Sequence, residues 1–549
     1  MASQKLRIIP LGGLGEVGKN MTAIEYGRNI VVIDAGVMFP ENDMLGVDFI
    51  IPDFGYLRDK ADLIRAIIAT HGHEDHIGGL PYVLKEISAP VYATRLTRGL
   101  IEVKLRDHGL LDRITIHTIE AGEMINVGPF DFEFYHVCHS IPDGVGLGIT
   151  TPLGLIVHSG DYKFDHTPVD GWPTDFAKLA ELSGRGVLAL LADSTNAEQM
   201  GWTPSERTVE AAFEEVFEKA PGRIIVATFA SLISRIQQVF NVAQRHGRKV
   251  AVAGHSMSEN VKIAQKLGYL NVPTDLILPV NRVNDFPPSK VTIMATGTQG
   301  EPSAVLGRLA TGQHRQIQIL RGDTVVLSAH PIPGNEELVH RIINRLLQRG
   351  AHVLYDAIAP VHVSGHASRE EQKLLLNVVR PEFFIPIHGE LRHLHQHAAM
   401  ARDLGIPAEN IAVVENGTII EFDEFGMTVG ERVPGGYVFV DGAMVGDIGP
   451  AVLRDRESLA RDGFVAVVVN RDPRTGGLLG RPRLISRGFI YRPDAGELIE
   501  AAEDMLVDSL TMDNGDWERL IPSRLGQYLY SQTKRRPIII PVINEIPLY

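Results

Sequence analysis

The sequence predicts an α/β protein built in layers: an αββα sandwich carrying an inserted parallel-sheet α/β domain, followed by a small α+β unit. Three observations predict it. Residues 1–205 alternate short apolar strands with a few helices, as half of an αββα sandwich would. From 206 to about 360 helical periods alternate with apolar strands, the pattern of a parallel sheet covered by helices. Histidine or aspartate follows one apolar strand after another, where loops on a rigid sheet build sites. At 549 residues the chain is too long for one core and implies three or four domain-sized units.

In chain order, a strand over 6–11 leads into the glycine-rich run Gly12-Gly13-Leu14-Gly15-Glu16-Val17-Gly18-Lys19-Asn20. Gly13, Gly15 and Gly18 have the spacing of a dinucleotide-binding fingerprint, and Asp34 ends a later strand at a fitting distance. That fingerprint requires a helix directly after its glycines. Met21 to Tyr26 reads instead as a strand, with Gly27, Arg28 and Asn29 turning a hairpin into the strand 30–33. The glycines are therefore expected to let backbone pass close to other loops. Further strands are expected at 63–69, 132–137 and 155–157.

Within the insertion, helices are expected over 209–219, 235–246 and 337–348, and strands over 223–228, 250–253, 291–295 and 324–327. A helix over 369–379 opens with Ser368 and Glu371 at capping-box spacing, and a strand follows at 383–387. The C-terminal unit reads as strands over 464–469 and 483–491, an amphipathic helix over 495–510 and an apolar strand at 538–540. The expected domains are 1–205 and 361–446 as two parts of the sandwich, 206–360 as the insertion, 447–464 as a charged linker and 465–549 as the last unit.

The run His71-Gly72-His73-Glu74-Asp75-His76 carries the chemistry. Alternate side chains of an extended segment share a face, so His71 and His73 can converge on one ion, leaving Asp75 and His76 for a second. A polar loop gains nothing structural from three imidazoles and a carboxylate, so the run implies metal-assisted hydrolysis. Asp34, His139, Asp161 and His388 each follow an apolar strand. Taken singly, each is as readily a turn-capping aspartate or a sheet-edge histidine.

With these residues the chain resembles the metallo-β-lactamase superfamily, whose signature is HxHxDH, a downstream histidine and a bridging aspartate. The resemblance implies that His71, His73 and His139 bind one ion, that Asp75, His76 and His388 bind another, that Asp161 bridges, and that Asp34 orients the cluster. Asp193-Ser194-Thr195-Asn196, the loop His362 to Ser368 and Pro386-Ile387-His388-Gly389-Glu390 look like motifs A, B and C of the β-CASP nucleases. With the glycine-rich start and Pro331-Ile332-Pro333-Gly334-Asn335-Glu336, they resemble the ribonuclease J family over essentially the whole chain. His330, just before that last stretch, has no role in this reading.

The resemblance implies a 5′-to-3′ exonuclease and endonuclease acting on messenger and ribosomal RNA, by two-metal hydrolysis with zinc, or with manganese or magnesium in its place. Ser231, Leu232 and Ile233 with His362, Val363, Ser364, Gly365 and His366 would hold a 5′-terminal nucleotide and its monophosphate. On physics alone, Ser231 and Ser234 are equally well ordinary caps of the helix that follows. His366 would protonate the leaving 3′ oxygen, with Asp34 and Asp193 completing the catalytic set. A DNA nuclease of the same superfamily and an idle RNA-binding subunit of a degradation complex are the alternatives. The second should have lost ligands, and none is missing here.

Composition agrees with a large cytoplasmic enzyme. The hydrophobic fraction of 44% excludes disorder, and a single cysteine, Cys138, excludes a disulfide framework. No apolar run approaches membrane-spanning length. A formal charge of -14 argues against a surface coated with phosphate contacts but leaves room for a local basic cluster such as Lys534-Arg535-Arg536. The small last unit is expected to complete its core with another subunit, and the family resemblance implies a homodimer or homotetramer.

Overall fold

The computed structural model describes residues 4–41, 43–442, 444–490, 496–512 and 515–547. It contains two compact units: residues up to 41 with 49–438, and 42–48 with 439 onward.

Two sheets face one another in the first unit. One has eight strands in the order Gly426–Arg432, Thr418–Asp423, Leu6–Gly12, Met21–Tyr26, Asn29–Ile33, Ile64–Ile68, Val91–Ala93 and Ile116–Thr118. The other has six, Phe383–Ile387, Val187–Asp193, Gly154–His158, Val145–Thr151, Phe130–His136 and Met124–Val127. Their inner faces make one core: Ile8, Ile24, Val31 and Ile68 from the first sheet pack with Phe132, Phe134, Leu147, Ile156 and Ile385 from the second. The outer face of the six-stranded sheet buries Val157, Leu190 and Phe384 against Leu179, Leu375 and Leu376, which lie on the helices Phe176–Gly184 and Arg369–Val379. This is the αββα arrangement, closed by the late strand Phe383–Ile387, which pairs in parallel with Val187–Asp193.

Met21–Tyr26 and Asn29–Ile33 form an antiparallel hairpin, so no helix follows the glycine-rich run. Gly12 and Gly13 pack so tightly on Lys19 and Asn20 that a Cβ at Gly12 would lie 1.9 Å from the Lys19 carbonyl oxygen. Gly36 likewise would meet the Asp75 carbonyl at 1.7 Å, which holds the strand end beside the histidine run.

The insertion is a five-stranded, all-parallel sheet in the order Lys249–Ala253, Val291–Ala295, Ile224–Ala227, Thr324–Leu327 and His352–Tyr355. All four strands read from the sequence are present; the fifth, His352–Tyr355, buries only Val353 fully and lacks the apolar run that marks the others. The helices Ile233–Arg245 and Glu336–Gln348 fall where their periodicity put them. The capping box at Ser368 and Glu371 forms as expected.

In the second unit the strands Leu478–Arg487, Phe464–Arg471 and Ile538–Glu545 make a mixed sheet, with Phe464–Arg471 in the middle. Val465, Val467 and Val469 face a core formed with Leu506, Leu510, Trp517, Leu525 and Leu529 from the helices Gly496–Met512 and Trp517–Thr533. The second helix has no clear apolar period and carries Pro522, so the sequence did not announce it. Residues read as a linker contain the helix Pro450–Asp462; its alanines, leucines and arginines are strong helix formers, and Pro450 stands in its first turn. The expected strand end at Tyr491 and helix start at Ala495 lie outside the described residues. The basic run at 534–536 is absorbed locally: Lys534 ends a helix, Arg535 donates to the Phe489 carbonyl, and Arg536 lies over the Tyr530 ring.

Candidate metal centre

The sandwich gathers its chemistry at the strand ends. His71 and His73 lie in the loop after Ile64–Ile68, and Asp75 and His76 in the single helical turn Glu74–Ile77. His139 follows Phe130–His136, Asp161 follows Gly154–His158, and His388 follows Phe383–Ile387.

Three imidazole nitrogens converge. His73 Nδ1 lies 3.2 Å from His71 Nε2 and 3.0 Å from His139 Nε2. Their opposite nitrogens are engaged elsewhere: His139 Nδ1 donates to the Gly365 carbonyl at 2.7 Å, and His71 Nδ1 lies 3.1 Å from Thr70 Oγ1. Burial, with repulsion among the rings, pushes the pKa of His71 and His139 well below the ordinary value and that of His73 to about 4. Three neutral imidazoles therefore aim lone pairs at one point, an arrangement that suits a cation and little else.

A second cluster joins Asp75, His76, Asp161 and His388. Asp75 Oδ2 lies 3.5 Å from His76 Nε2 and 3.2 Å from His388 Nε2. Asp161 Oδ2 stands between the two clusters, 3.7 and 3.8 Å from His71 and His139 on one side, 3.1 and 3.8 Å from His76 and His388 on the other. Burial favours the neutral carboxyl of Asp161, but His388, His76 and His71 hold it well below the usual range. Burial opposes the charged form of His388, but Asp161, Asp193 and Asp75 overcome it and raise its pKa to about 10. Negative charge here calls for positive charge, from protons or from an ion.

Around these residues the structure places the expected orienting groups. Asp34 accepts from the Thr70 backbone and hydroxyl at 2.7 and 2.8 Å and binds His76 Nδ1 at 2.8 Å. Asp193 lies 2.7 Å from His366 Nδ1 and 3.3 Å from His388 Nδ1. Gly365 closes over His139, where a Cβ would come within 2.7 Å of the ring.

Ser364 Oγ accepts from Asn196 Nδ2 at 2.8 Å and from the His366 amide at 3.1 Å. The loop 362–366 is thus brought onto the cluster, with Val363 buried. Ser231 lies near the start of Ile233–Arg245, whose cap position is Leu232 with no side-chain cap bond, so Ser231 is not the helix's cap. Leu232 and Ile233 bury their side chains. Among the described residues no hydrogen bond joins Ser231 to the loop; Arg235, paired with Glu206 and donating to the Val361 carbonyl at 3.1 Å, connects the two segments.

Sequence reasoning missed four supports. Thr195 Oγ1 lies 2.6 Å from His388 Nδ1, Asn196 ties motif A to motif B, Thr70 holds Asp34, and Asn20 Nδ2 reaches His76 Nε2 at 3.1 Å. Thr195 and Asn196 stand in the quoted motif A, the only signal that pointed to them. Cys138 is buried, its thiol pushed up to about 11 by burial. His330 pairs with Asp356 beyond the end of Thr324–Leu327.

Family comparisons agree with this geometry along the chain. Residues 14–196 match the metallo-beta-lactamase superfamily, 221–346 the beta-CASP domain of ribonuclease J, 351–411 the Zn-dependent metallo-hydrolase RNA specificity domain, and 451–546 the ribonuclease J C-terminal domain. Ribonuclease J2 of Bacillus subtilis is 42% identical over 99% of both chains. The chain belongs to the ribonuclease J family. Ribonuclease J of a Synechocystis species is 46% identical over 89% of this chain and 76% of its own. A crystal structure of an Enterococcus faecalis protein of unknown function shares the fold, with a TM-score of 0.55 at 14% identity over 76% of this chain and all of that one. Membership makes the chain a metal-dependent ribonuclease, a hydrolase built on the metallo-β-lactamase fold. Among the described residues no helix is long and apolar enough to cross a membrane.

Proposed function

We propose that the chain degrades RNA from a 5′-monophosphorylated end and also cuts internally, in messenger RNA decay and ribosomal RNA maturation. His71, His73 and His139 would hold one zinc ion, Asp75, His76 and His388 a second, and Asp161 would bridge them; manganese or magnesium are the substitutes. The observation that carries the reading is the position of Asp161 Oδ2 between the two ligand groups. When bound, such ions activate water and neutralise charge developing on the phosphoryl oxygens.

The protein's own groups do the rest. Thr70, through Asp34, fixes the ring plane of His76. Asp193 binds His366 Nδ1 and so leaves its Nε2 to deliver a proton to the departing 3′ oxygen. Burial opposes the charged form of His366, but Asp193 raises its pKa above the ordinary value, which keeps a proton available near neutral pH. Gly365, whose carbonyl accepts from His139 Nδ1, locks the phosphate-binding loop to the metal cluster. Ser231 with backbone of the two segments would enclose the 5′ phosphate, and a triphosphate, larger and more charged, would fit poorly. The enzyme is proposed to be cytoplasmic, to act as a homodimer or homotetramer, and to work alone or within an RNA-degradation complex. Degradation of 5′-monophosphorylated RNA, 5′-triphosphorylated RNA and matched DNA by the metal-loaded protein tests this. Equal rates on all three would refute it.

A further inference from the structure

The chain has three tryptophans, and two are half-exposed close to the metal centre. Trp517 sits 1% exposed in the second unit's core, whereas Trp172 is 44% and Trp202 50% exposed. So large an apolar ring left in water calls for a reason.

The indole of Trp172 and the backbone on either side of Trp202 are held in place. The indole of Trp172 stacks on His136 at 3.9 Å and 8°, so one face is covered and the other is open. Its amide donates to Asp170 at 3.0 Å, and its carbonyl accepts from the Cys138 thiol beside His139. Trp202 is fixed from both sides: the Glu370 amide donates to Gly201, and Thr203 donates through its amide to Glu371 at 2.7 Å and through its hydroxyl to the His366 carbonyl at 2.7 Å. The two loops form one surface, because Thr167 and Ser205 are joined by hydrogen bonds and the Glu206 amide donates to Asp165. Each ring therefore stands one residue from a group bonded to the catalytic loops. A cavity lined by His136, Cys138, His139 and Ser234 lies beside them.

The geometry points to a base-stacking platform: Trp172 and Trp202 grip the bases of unpaired RNA on its way to the metal centre. The inference rests on the ribonuclease reading above and names how the substrate is held. Charge leaves a role for stacking here. The chain carries -14 overall, Asp170 is exposed beside Trp172 and the nearby Lys163 is buried, so the arginines on the Trp202 side, Arg207 and Arg369, need a source of affinity beside counterion release. Aromatic stacking is such a source, tolerant of sequence and worth about 1–3 kcal/mol per base. The Trp172 ring, already stacked on His136, also avoids the entropy of ordering on binding. Duplex RNA, whose bases are already stacked on each other, should be excluded from the rings.

The test uses the full-length, metal-loaded enzyme with Trp172→Leu, Trp202→Leu, and the stacking-competent Trp172→Tyr and Trp202→Tyr. Substrates are a 5′-monophosphorylated unstructured oligoadenylate and bis-p-nitrophenyl phosphate, which carries no nucleobase. Each leucine variant should raise KM for the RNA about ten-fold, within the range of one lost stack, with kcat and diester hydrolysis unchanged. The tyrosine variants should restore KM to near the parent value. Unchanged KM in both leucine variants would overturn the platform, and so would unchanged KM with a fall in molecular mass by light scattering, which would assign the surface to a second copy of the chain. Failure of the parent enzyme to cleave RNA while hydrolysing the diester would instead overturn the ribonuclease reading beneath it.

Discussion

Replacing Ser364 with alanine should remove the proposed preference for a 5′ phosphate without removing the enzyme's chemistry. Ser364 Oγ already accepts two hydrogen bonds, from Asn196 Nδ2 at 2.8 Å and from the His366 amide at 3.1 Å. With both lone pairs engaged, the hydroxyl has only its proton left to offer, and an anionic oxygen is the natural acceptor. A hydrogen bond to a charged group is worth roughly 1.5–3 kcal/mol, so the loss should be about 10- to 150-fold. Alanine also strips an acceptor from Asn196 and His366, but Asn196 Nδ2 keeps the His366 carbonyl at 3.0 Å, so the loop retains a tie. That structural cost falls equally on every substrate and cancels in a ratio. The assay is therefore kcat/KM on 5′-monophosphorylated RNA divided by kcat/KM on the same RNA with a 5′ hydroxyl, before and after the substitution, beside the rate of internal cleavage of a circular RNA. The ratio should collapse while circular RNA is cut at a rate within a few-fold of the parent. A ratio that survives, or an equal loss on all three substrates, would show that Ser364 supports the loop and does not touch the phosphate.

Three further outcomes are expected. His73→Ala should abolish hydrolysis and lower bound metal while the metal-free protein unfolds at the parent temperature, because His73 stands in a loop and contributes an imidazole to the cluster, not to the core; near-normal turnover at measured metal content would sink the ligand assignment. The Asp356 carboxylate raises the pKa of His330, so the pair adds stability below the unfolded histidine value near 6.5 and loses it as pH rises through the raised folded value. With the His330 side chain 73% exposed, the effect is screened to about 0.2–1 kcal/mol, and the melting-temperature gap between the parent and His330→Ala should be visible at pH 6 and vanish by pH 9. In the second unit Ala466 pairs with Ile485 on one side and Ile540 on the other, and Val468 with Val542, on the sheet face turned away from the helices. Ile485, Ile540 and Val542 are about 40% exposed there, so Ile540→Glu should lower the oligomer mass by light scattering; an unchanged mass would put the subunit contacts elsewhere.

The candidate metal cluster was legible because its residues obey local rules. His71 to His76 are contiguous, and each remaining residue of the cluster follows an apolar strand that periodicity finds unaided. The supports were less visible because they act across the chain: Thr195 meets His388 and Asn196 meets Ser364 over separations of 193 and 168 residues, and nothing in a threonine or an asparagine announces such a partner. The helix Trp517–Thr533 was hidden by an interior proline and a weak apolar period, and Pro450–Asp462 by charges that read as a solvated tether. Trp172 and Trp202 show the converse. Tryptophan in a sequence reads as core, and only the structure reveals that two of the three are left in water.

Asp34 and His388 share a further property that bears on how the centre works. Both adopt positive φ, 61° and 52°, at the point where a strand ends and the chain must turn at once toward the cluster. A residue other than glycine pays for such a conformation unless its surroundings over-determine it. They do so here: the Asp34 amide donates to Ile68, its carboxylate is held by Thr70 and His76, and the His388 carbonyl accepts from the Ser194 amide while its ring is flanked by Thr195 and Asp193. Hydrogen bonds made by the protein alone therefore fix both residues. The binding geometry is set by the scaffold, so binding energy need not be spent on ordering these residues, and the donors stay aimed at the place where charge develops.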